Sequence, residues 1–253
     1  MLRTLNLTRE LVDRLPARVD ERGPVRWSVD DSYYPATAAK ILSALPEDGA
    51  LWVFAIGSLI WKQRFPAIET RPALIRGWHR SFCLGPDMRF RGNPAAPGLM
   101  MSLDRGGQCR GVAFRMDPAN LTASLEELLR SEPPTPPRWV RAATRQGMVK
   151  AIAFTIDRGH FMHVAGLSEA EVADRLSQAV GHVGSMPDYL LNTVAHLEEL
   201  GYHDRYLWRM QALVAERLEK LPDLNVRPQT PKSEVHSRTL PLTRKIKPAT
   251  ASK

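Results

Sequence analysis

The chain contains few residues that could form covalent crosslinks or metal centres. Only two of its 253 residues are cysteines, Cys83 and Cys109, and both lie in apolar or strand-like sequence. This pattern excludes a disulfide-stabilised scaffold and is typical of small buried thiols in a reducing compartment. The seven histidines are scattered, and no group of cysteine and histidine has the spacing of a zinc site.

Long apolar runs are also missing. The N-terminal segment carries the charges of Arg3, Arg9 and Glu10, so it has no apolar core of the length that a signal peptide requires. The longest uncharged stretch, residues 49–61, is too short for a transmembrane helix and contains a predicted turn. We therefore expect a cytoplasmic protein without a membrane partner.

The positive charge is concentrated at the C-terminal end. Residues 222–253 contain seven Lys or Arg and two Asp or Glu, so five of the net eight positive charges lie there and about three remain elsewhere. This segment lacks apolar periodicity, which predicts disorder, and no nucleic-acid-binding motif accompanies its charge. We expect a helical extension at 1–48, a folded domain at 49–221 and this basic tail, with no specific nucleic-acid partner.

Helices are predicted on both sides of a region of strands. Short amphipathic patterns cover residues 8–15 and 36–45. Later in the chain, Ser168 begins a capping-box pattern, Pro187 begins a second helix, and residues 204–221 form a third amphipathic pattern. The chain therefore combines helices with strands.

Residues 51–61 predict a buried strand that ends in a turn at Gly57 and Ser58. The run LWVFAIGSLIW is rich in β-branched and aromatic residues, and its glycine permits the unusual dihedral angles of a tight turn. Successive backbone N–H groups at such a turn attract a carboxylate or a developing oxyanion. An ordinary core strand followed by an ordinary turn is the alternative.

An ordered set of short motifs accompanies this turn. They are GSLIW at 57–61, GWHR at 77–80, FCL at 82–84, RG at 91–92, PGL at 97–99, LDRGG at 103–107, CRGVAFR at 109–115, PRWV at 137–140, AIAF at 151–154 and GHVGS at 181–185. With this set, about two thirds of the chain resembles the ChaC-like γ-glutamylcyclotransferases. The resemblance implies an α/β (α+β) fold with a small closed or nearly closed barrel flanked by helices.

The resemblance also implies a reaction on a small molecule, without metal or cofactor. In glutathione, the free α-amine attacks its own γ-carbonyl and releases 5-oxoproline and cysteinylglycine. The protein must then bend the substrate, stabilise an oxyanion and move a proton. The resemblance places the amides of Gly57, Ser58 and Leu59 on the γ-glutamyl group. It implies Arg91 for a substrate carboxylate and Tyr189 beside the substrate, although both residues also fit structural roles.

The family uses a glutamate to move the proton, and the sequence leaves its position open. If the segment RSEPP at residues 130–134 keeps the register of the family pattern, the expected acid falls on Leu128 and is absent. A slip of one residue selects Glu127, but one residue turns a side chain by about 100° around a helix. Glu132, beside Pro133, is the second candidate and Glu126 the third. All three acids also fit the solvated face of an amphipathic helix.

Two departures from the family pattern bear on activity. Ile56 stands where relatives have tyrosine, and Leu128 stands in the expected acid register. Three hypotheses follow. The chain is an active γ-glutamylcyclotransferase, or a weakened relative that binds γ-glutamyl compounds without efficient turnover, or a basic interaction protein whose tail holds RNA or membrane phosphate.

Overall fold

The computed structural model describes residues 4–25 and 27–222 of the chain, so the basic tail predicted after Leu221 lies almost entirely outside the described residues. The helices are α1 (Arg9–Val12), α2 (Tyr33–Leu42), α3 (Ser58–Trp61), α4 (Leu121–Ser131), α5 (Glu169–Gln178), α6 (Met186–Glu199) and α7 (Arg205–Glu219). The strands are β1 (Trp52–Ala55), β2 (Ala67–Asp87), β3 (Gly98–Met116), β4 (Arg138–Thr144), β5 (Gly147–Ala153), β6 (Val180–Gly181) and β7 (Gly184–Ser185).

Five strands form a closed barrel in the order β1-β3-β2-β4-β5. The pair of β1 and β5 is parallel and closes the barrel, whereas the other neighbouring strands are antiparallel. The strands β2 and β3 are much longer than the rest and extend beyond the barrel as a paired hairpin. This architecture confirms the predicted mixed fold with a small closed barrel flanked by helices.

The first strand is buried on both of its faces. Trp52 and Phe54 point into the barrel, where they pack with residues such as Ile75. Val53 and Ala55 point outwards into a second cluster, which includes residues of α2 and α4. Because side chains alternate along a strand, burial of both faces requires the unbroken apolar run seen in the sequence.

The predicted strand ends at the predicted turn. Pairing of β1 with β3 ends at Ala55, and the chain then turns through Gly57 into the single helical turn α3. The N–H of Ile60 donates to the Gly57 carbonyl at 2.9 Å, which satisfies a carbonyl that has left the sheet. The apolar residues after Gly57 therefore belong to a helix, although their composition is also typical of a strand.

The helices α5, α6 and α7 pack around a separate apolar cluster beside the hairpin of β2 and β3, and Leu11 of α1 joins that cluster. The Ser168 capping box is present as predicted: its hydroxyl accepts the Glu171 N–H, and the Glu171 carboxylate accepts the Ser168 N–H. Asp204 caps α7 by accepting two backbone N–H groups. The N-terminal helix α2 packs against α4, so both sides of the barrel carry helices.

Candidate active site

The turn at Gly57 lies directly against the hydroxyl of Tyr189, which α6 contributes. A Cβ atom built on Gly57 would lie 2.1 Å from that hydroxyl oxygen, which is far inside van der Waals contact. The backbone N–H of Ser58 is close enough to the Tyr189 hydroxyl to lower the pKa of the phenol. Glycine is therefore required at position 57 because a phenol packs onto the backbone of the turn.

Two neighbours fix the ring of Tyr189. The ring packs edge-on against Trp61 of α3, with centroids 6.2 Å apart. The guanidinium of Arg91 lies over the ring, 5.0 Å from its centroid, as in a cation–π contact. Ser185 caps α6 by accepting the Asp188 N–H, which anchors the helical turn that carries Tyr189. The phenol is therefore held over Gly57 by both the turn and its own helix.

Arg91 is a largely buried cation at this position. Its Nη1 donates to the Ser185 carbonyl at 2.9 Å and lies 3.7 Å from an oxygen of Asp188. Burial lowers the pKa of Arg91 from its usual value, while the neighbouring Tyr189 hydroxyl and the carboxylates of Asp188 and Asp87 act in the opposite direction. Since guanidinium keeps its proton throughout the physiological range, Arg91 supplies a fixed positive charge beside Tyr189.

The charge of Glu132 acts on Tyr189. Burial raises the pKa of its half-buried carboxyl group to about 7, although the charge of Arg64 partly offsets this effect. The carboxylate is close enough to Tyr189 for its charge to raise the pKa of the phenol. A carboxyl group with a pKa near neutrality exchanges protons readily at physiological pH, which is the property that an acid/base catalyst needs.

Tyr189 keeps its proton under the same conditions. Burial raises the pKa of Tyr189 to about 12; Arg91 lowers it, and Glu132 raises it further. The phenol is therefore a neutral hydrogen-bonding group at neutral pH. Of these two ionisable groups, only Glu132 can change its charge within the physiological range.

The structure separates Glu132 from the other two candidate acids. Glu127 is exposed and Glu126 is partly exposed on α4, while Leu128 and Leu129 are buried beneath the helix. The helix ends at Ser131, and Glu132 has an extended backbone with φ −104° and ψ 159°. Glu127 is thus not brought to the Gly57 turn with Tyr189.

The sequence contains a local signal for this difference. Pro133 disfavours a helical conformation at the residue before it, so α4 must end before Glu132. The acid next to Pro133 therefore leaves the helix axis and can face the barrel, whereas the acids within α4 follow its solvated face.

The side chains of Ile56 and Leu59 pack in apolar clusters, so these residues can contribute only backbone groups to the Gly57 turn. The Ile56 side chain packs against the apolar cluster inside the barrel, and the Leu59 side chain is buried in the cluster under α4. The Ile56 carbonyl accepts a hydrogen bond from Nε of Arg80 at 2.7 Å. Sequence reasoning did not assign Arg80 a role, since only its presence in the GWHR motif distinguishes it from a surface arginine.

Residues 51–217 match the protein family described as "ChaC-like protein". The chain belongs to this family. A glutathione-specific γ-glutamylcyclotransferase of Escherichia coli (strain K12) is 31% identical over 207 residues, which are 80% of this chain and 88% of the relative. "Gamma-glutamylcyclotransferase 2-3" of Arabidopsis thaliana is 27% identical over 189 residues, which cover 70% of this chain and 94% of the relative.

A solved structure has the same ChaC-like fold. The glutathione-specific γ-glutamyl cyclotransferase from yeast superposes with a TM-score of 0.59 at 19% sequence identity, over 66% of this chain and 96% of the yeast chain. At this identity the likeness supports the fold. The family resemblance inferred from the motifs is confirmed by the match over residues 51–217.

The chain also contains a cavity of about 340 Å³. None of Gly57, Arg91, Glu132 and Tyr189 lines it. It lies between β2, α5 and the loop before α5. Two of its charged groups pair with each other, since Nε of Arg158 lies 2.9 Å from an oxygen of Asp104. Glu169 at its edge pairs with Arg209 of α7.

Within residues 4–25 and 27–222, no group of three or more histidine, cysteine, aspartate or glutamate side chains is arranged to hold a metal ion. In the same ranges, no helix combines the length and apolar character needed to cross a membrane.

Proposed function

We propose that this protein is a γ-glutamylcyclotransferase that converts glutathione, a small-molecule substrate, into 5-oxoproline and cysteinylglycine. The observation that supports the proposal is the partly buried carboxyl group of Glu132, whose pKa is raised to about 7 by burial and whose charge acts on Tyr189, the residue that packs on Gly57. The similarity to the glutathione-specific enzyme of Escherichia coli supports the substrate.

Glu132 acts as the acid/base in this proposal. Its carboxylate takes a proton from the α-ammonium group of the substrate, and the freed amine attacks the γ-carbonyl carbon to form the new C–N bond of the five-membered ring. The bond from that carbon to the cysteine nitrogen then breaks as Glu132 gives the proton to that nitrogen. Glu132 next carries the second proton of the attacking nitrogen to the released amine, which leaves as an ammonium group, and the ring nitrogen keeps one hydrogen. No water is consumed, and the protein ends in its starting protonation state.

The backbone amides of Gly57, Ser58 and Leu59 bind the γ-glutamyl group or its developing oxyanion. The Ser58 N–H lies close enough to the phenol oxygen of Tyr189 to lower its pKa, so this donor can serve an oxygen at that position. Substrate would take over this donor and place its oxygen beside the Tyr189 hydroxyl. Such donors stabilise the charge of a tetrahedral intermediate more than that of the ground-state carbonyl.

Arg91 and Tyr189 complete the proposed binding site. A guanidinium binds a carboxylate through two parallel hydrogen bonds, and Arg91 is held in place by Ser185 and Tyr189. Glu127 is left out of the mechanism because its side chain is exposed on α4. We also propose a cytoplasmic location, since both Cys83 and Cys109 are free, buried thiols that suit a reducing compartment.

The test is direct. Purified protein is incubated with glutathione, and 5-oxoproline and cysteinylglycine are measured by mass spectrometry. The natural chain and Glu127→Gln should both be active, and each should release 5-oxoproline and cysteinylglycine in equal amounts. For Glu132→Gln, kcat should be lower by about a hundredfold or more. Binding of glutathione without either product would instead support the weakened relative, and activity of Glu132→Gln would remove Glu132 from the mechanism.

A further inference from the structure

We propose that Arg80 is a positioning residue that sets the direction of the Gly57 N–H. This N–H belongs to the donor turn, which is the turn that carries the backbone N–H groups of Gly57, Ser58 and Leu59. This inference rests on the proposed function, because it assigns the donors of the same turn. Arg80 lies on β2 and does not need to touch the substrate to act. It would act through the peptide that joins Ile56 to Gly57.

Arg80 is one of the most deeply buried charged side chains of the described residues. Its side chain is 2% exposed, and all of its donor nitrogens find partners. Nε donates to the Ile56 carbonyl at 2.7 Å, and Nη2 donates to the Arg110 carbonyl. Nη1 donates to Oδ2 of Asp204 at 2.9 Å. Arg80 therefore joins the residue that follows β1, the neighbouring strand β3 and the start of α7.

The geometry of a peptide bond makes the contact with Ile56 relevant to Gly57. The peptide from Ile56 to Gly57 is trans, so its carbonyl and its N–H lie in one plane and point in opposite directions. Holding the carbonyl towards Arg80 therefore holds the Gly57 N–H away from Arg80. This is a fixed orientation of one of the three amides proposed to bind the γ-glutamyl group.

In the described residues, neither the pairing of β1 with β3 nor the helical turn α3 uses the Ile56 carbonyl. Pairing of β1 with β3 ends one residue earlier, at Ala55 and Val112, and the carbonyl of Gly57 is used within α3 by the Ile60 N–H. Glycine has no side chain that could restrict its own rotation. The Ile56 carbonyl is thus the point at which a side chain can fix the turn, and Arg80 occupies it.

Asp204 keeps the guanidinium in this position. Its Oδ2 pairs with Arg80, while its Oδ1 accepts the N–H groups of Tyr206 and Leu207 at the start of α7. A buried cation is stable only when it is paired, and this pair is fixed to a helix end. The orientation of the donor turn is therefore linked to α7 as well as to the barrel.

A misdirected donor predicts a particular kinetic signature. The Gly57 N–H would be most important when negative charge develops on the γ-carbonyl oxygen, so its loss lowers kcat more than it raises KM. Removal of one oxyanion donor costs about a hundredfold to a thousandfold in kcat. Because a misdirected donor is weakened and not removed, we expect a loss of at least about tenfold.

The experiment compares Arg80→Lys and Arg80→Met with Arg14→Met in the full chain. Arg14 is a matched control because its guanidinium also binds backbone carbonyls of a helix end, at Leu218, Glu219 and Leu221, but at the opposite end of α7. We measure kcat and KM for glutathione, the fraction of folded protein by circular dichroism, and crystal structures of the natural chain and of both Arg80 variants.

The expected order of kcat is natural chain, then Arg80→Lys, then Arg80→Met, with KM changed less than about threefold, because lysine keeps the charge and one donor to the Ile56 carbonyl. Arg14→Met should keep kcat per folded molecule. The crystal structures should show a rotated Ile56–Gly57 peptide in Arg80→Met. If Arg80→Met does not fold, Arg80→Lys carries the same test.

Some outcomes would overturn the inference. These are an unchanged kcat in a folded Arg80 variant, an equal loss in Arg14→Met, or an unrotated peptide in the variant crystals. If the natural chain makes no 5-oxoproline, the proposed function fails separately, and the orientation of the Ile56–Gly57 peptide in the crystals still decides the role of Arg80.

Discussion

Replacing Glu132 by glutamine is expected to abolish activity and to stabilise the fold at high pH. The partly buried carboxyl group has a pKa of about 7 in the folded protein, compared with an ordinary value of 4.5. Glutamine cannot ionise, so it avoids the cost of placing a charge in this site. The substitution therefore lowers catalytic activity while it raises the stability of the fold, whereas replacement of a merely structural residue would lower both.

The pH range of this effect follows from the sign of the pKa shift. Below pH 4.5 the carboxyl group is protonated in both the folded and the unfolded chain, so burial of this group then costs the folded protein no ionisation penalty. As the pH rises towards 7 the unfolded chain ionises first, and the folded protein loses stability. The rise from 4.5 to about 7 is worth about 3 kcal/mol at about 1.4 kcal/mol per pKa unit.

The assay is urea unfolding of the natural chain, Glu132→Gln and Glu127→Gln. The stability of Glu132→Gln relative to the natural chain should increase by about 2 kcal/mol between pH 5 and pH 8, because most of the ionisation penalty develops in this range. Glu127→Gln, with an exposed side chain on the same segment, should show no such change. A constant difference between Glu132→Gln and the natural chain at both pH values would refute the reasoning that Glu132 is desolvated.

Three further predictions test the site. The kcat/KM of the natural chain should rise with pH through an apparent pKa of about 7, because Glu132 must be ionised to accept a proton; a flat pH profile would contradict this. Gly57→Ala should lower the thermal stability by about 1–3 kcal/mol, since its Cβ would lie 2.1 Å from the Tyr189 hydroxyl, and adding Tyr189→Phe should recover part of that loss; melting curves of the single and double variants measure the coupling. Asp204→Asn keeps a capping side chain but leaves the charge of Arg80 unbalanced, so urea unfolding should show a loss of at least about 2 kcal/mol, and an unchanged midpoint would argue against the pair.

Much of the fold could be predicted because its signals are local. The capping box at Ser168 and the proline at Pro187 mark helix starts that depend on only a few neighbouring residues. The strand that ends at the Gly57 turn could be predicted from its apolar run and its glycine, but the helical turn after Gly57 could not, because residues 58–61 are apolar in either conformation. Burial of Leu59 beneath α4 comes from contacts distant in sequence, which no local pattern contains.

The site was less predictable for the same reason. Glu127 and Glu132 are the same residue type five positions apart, and only the folded structure exposes the first and partly buries the second. Pro133 is a local signal in favour of Glu132, but the pKa of that residue depends on tertiary packing. Arg80 could not be distinguished from other arginines until its partners Ile56 and Asp204 were brought together by the fold.

The parallel contact that closes the barrel has a consequence for the order of folding. Trp52 pairs with Ala151 about a hundred residues later, so β1 must wait for most of the domain before its second neighbour exists. Closing so long a loop is entropically costly, and until then one edge of this apolar strand is open to pairing with another chain. A nascent or truncated polypeptide that ends before β5 is therefore expected to aggregate through the strand that leads into the donor turn.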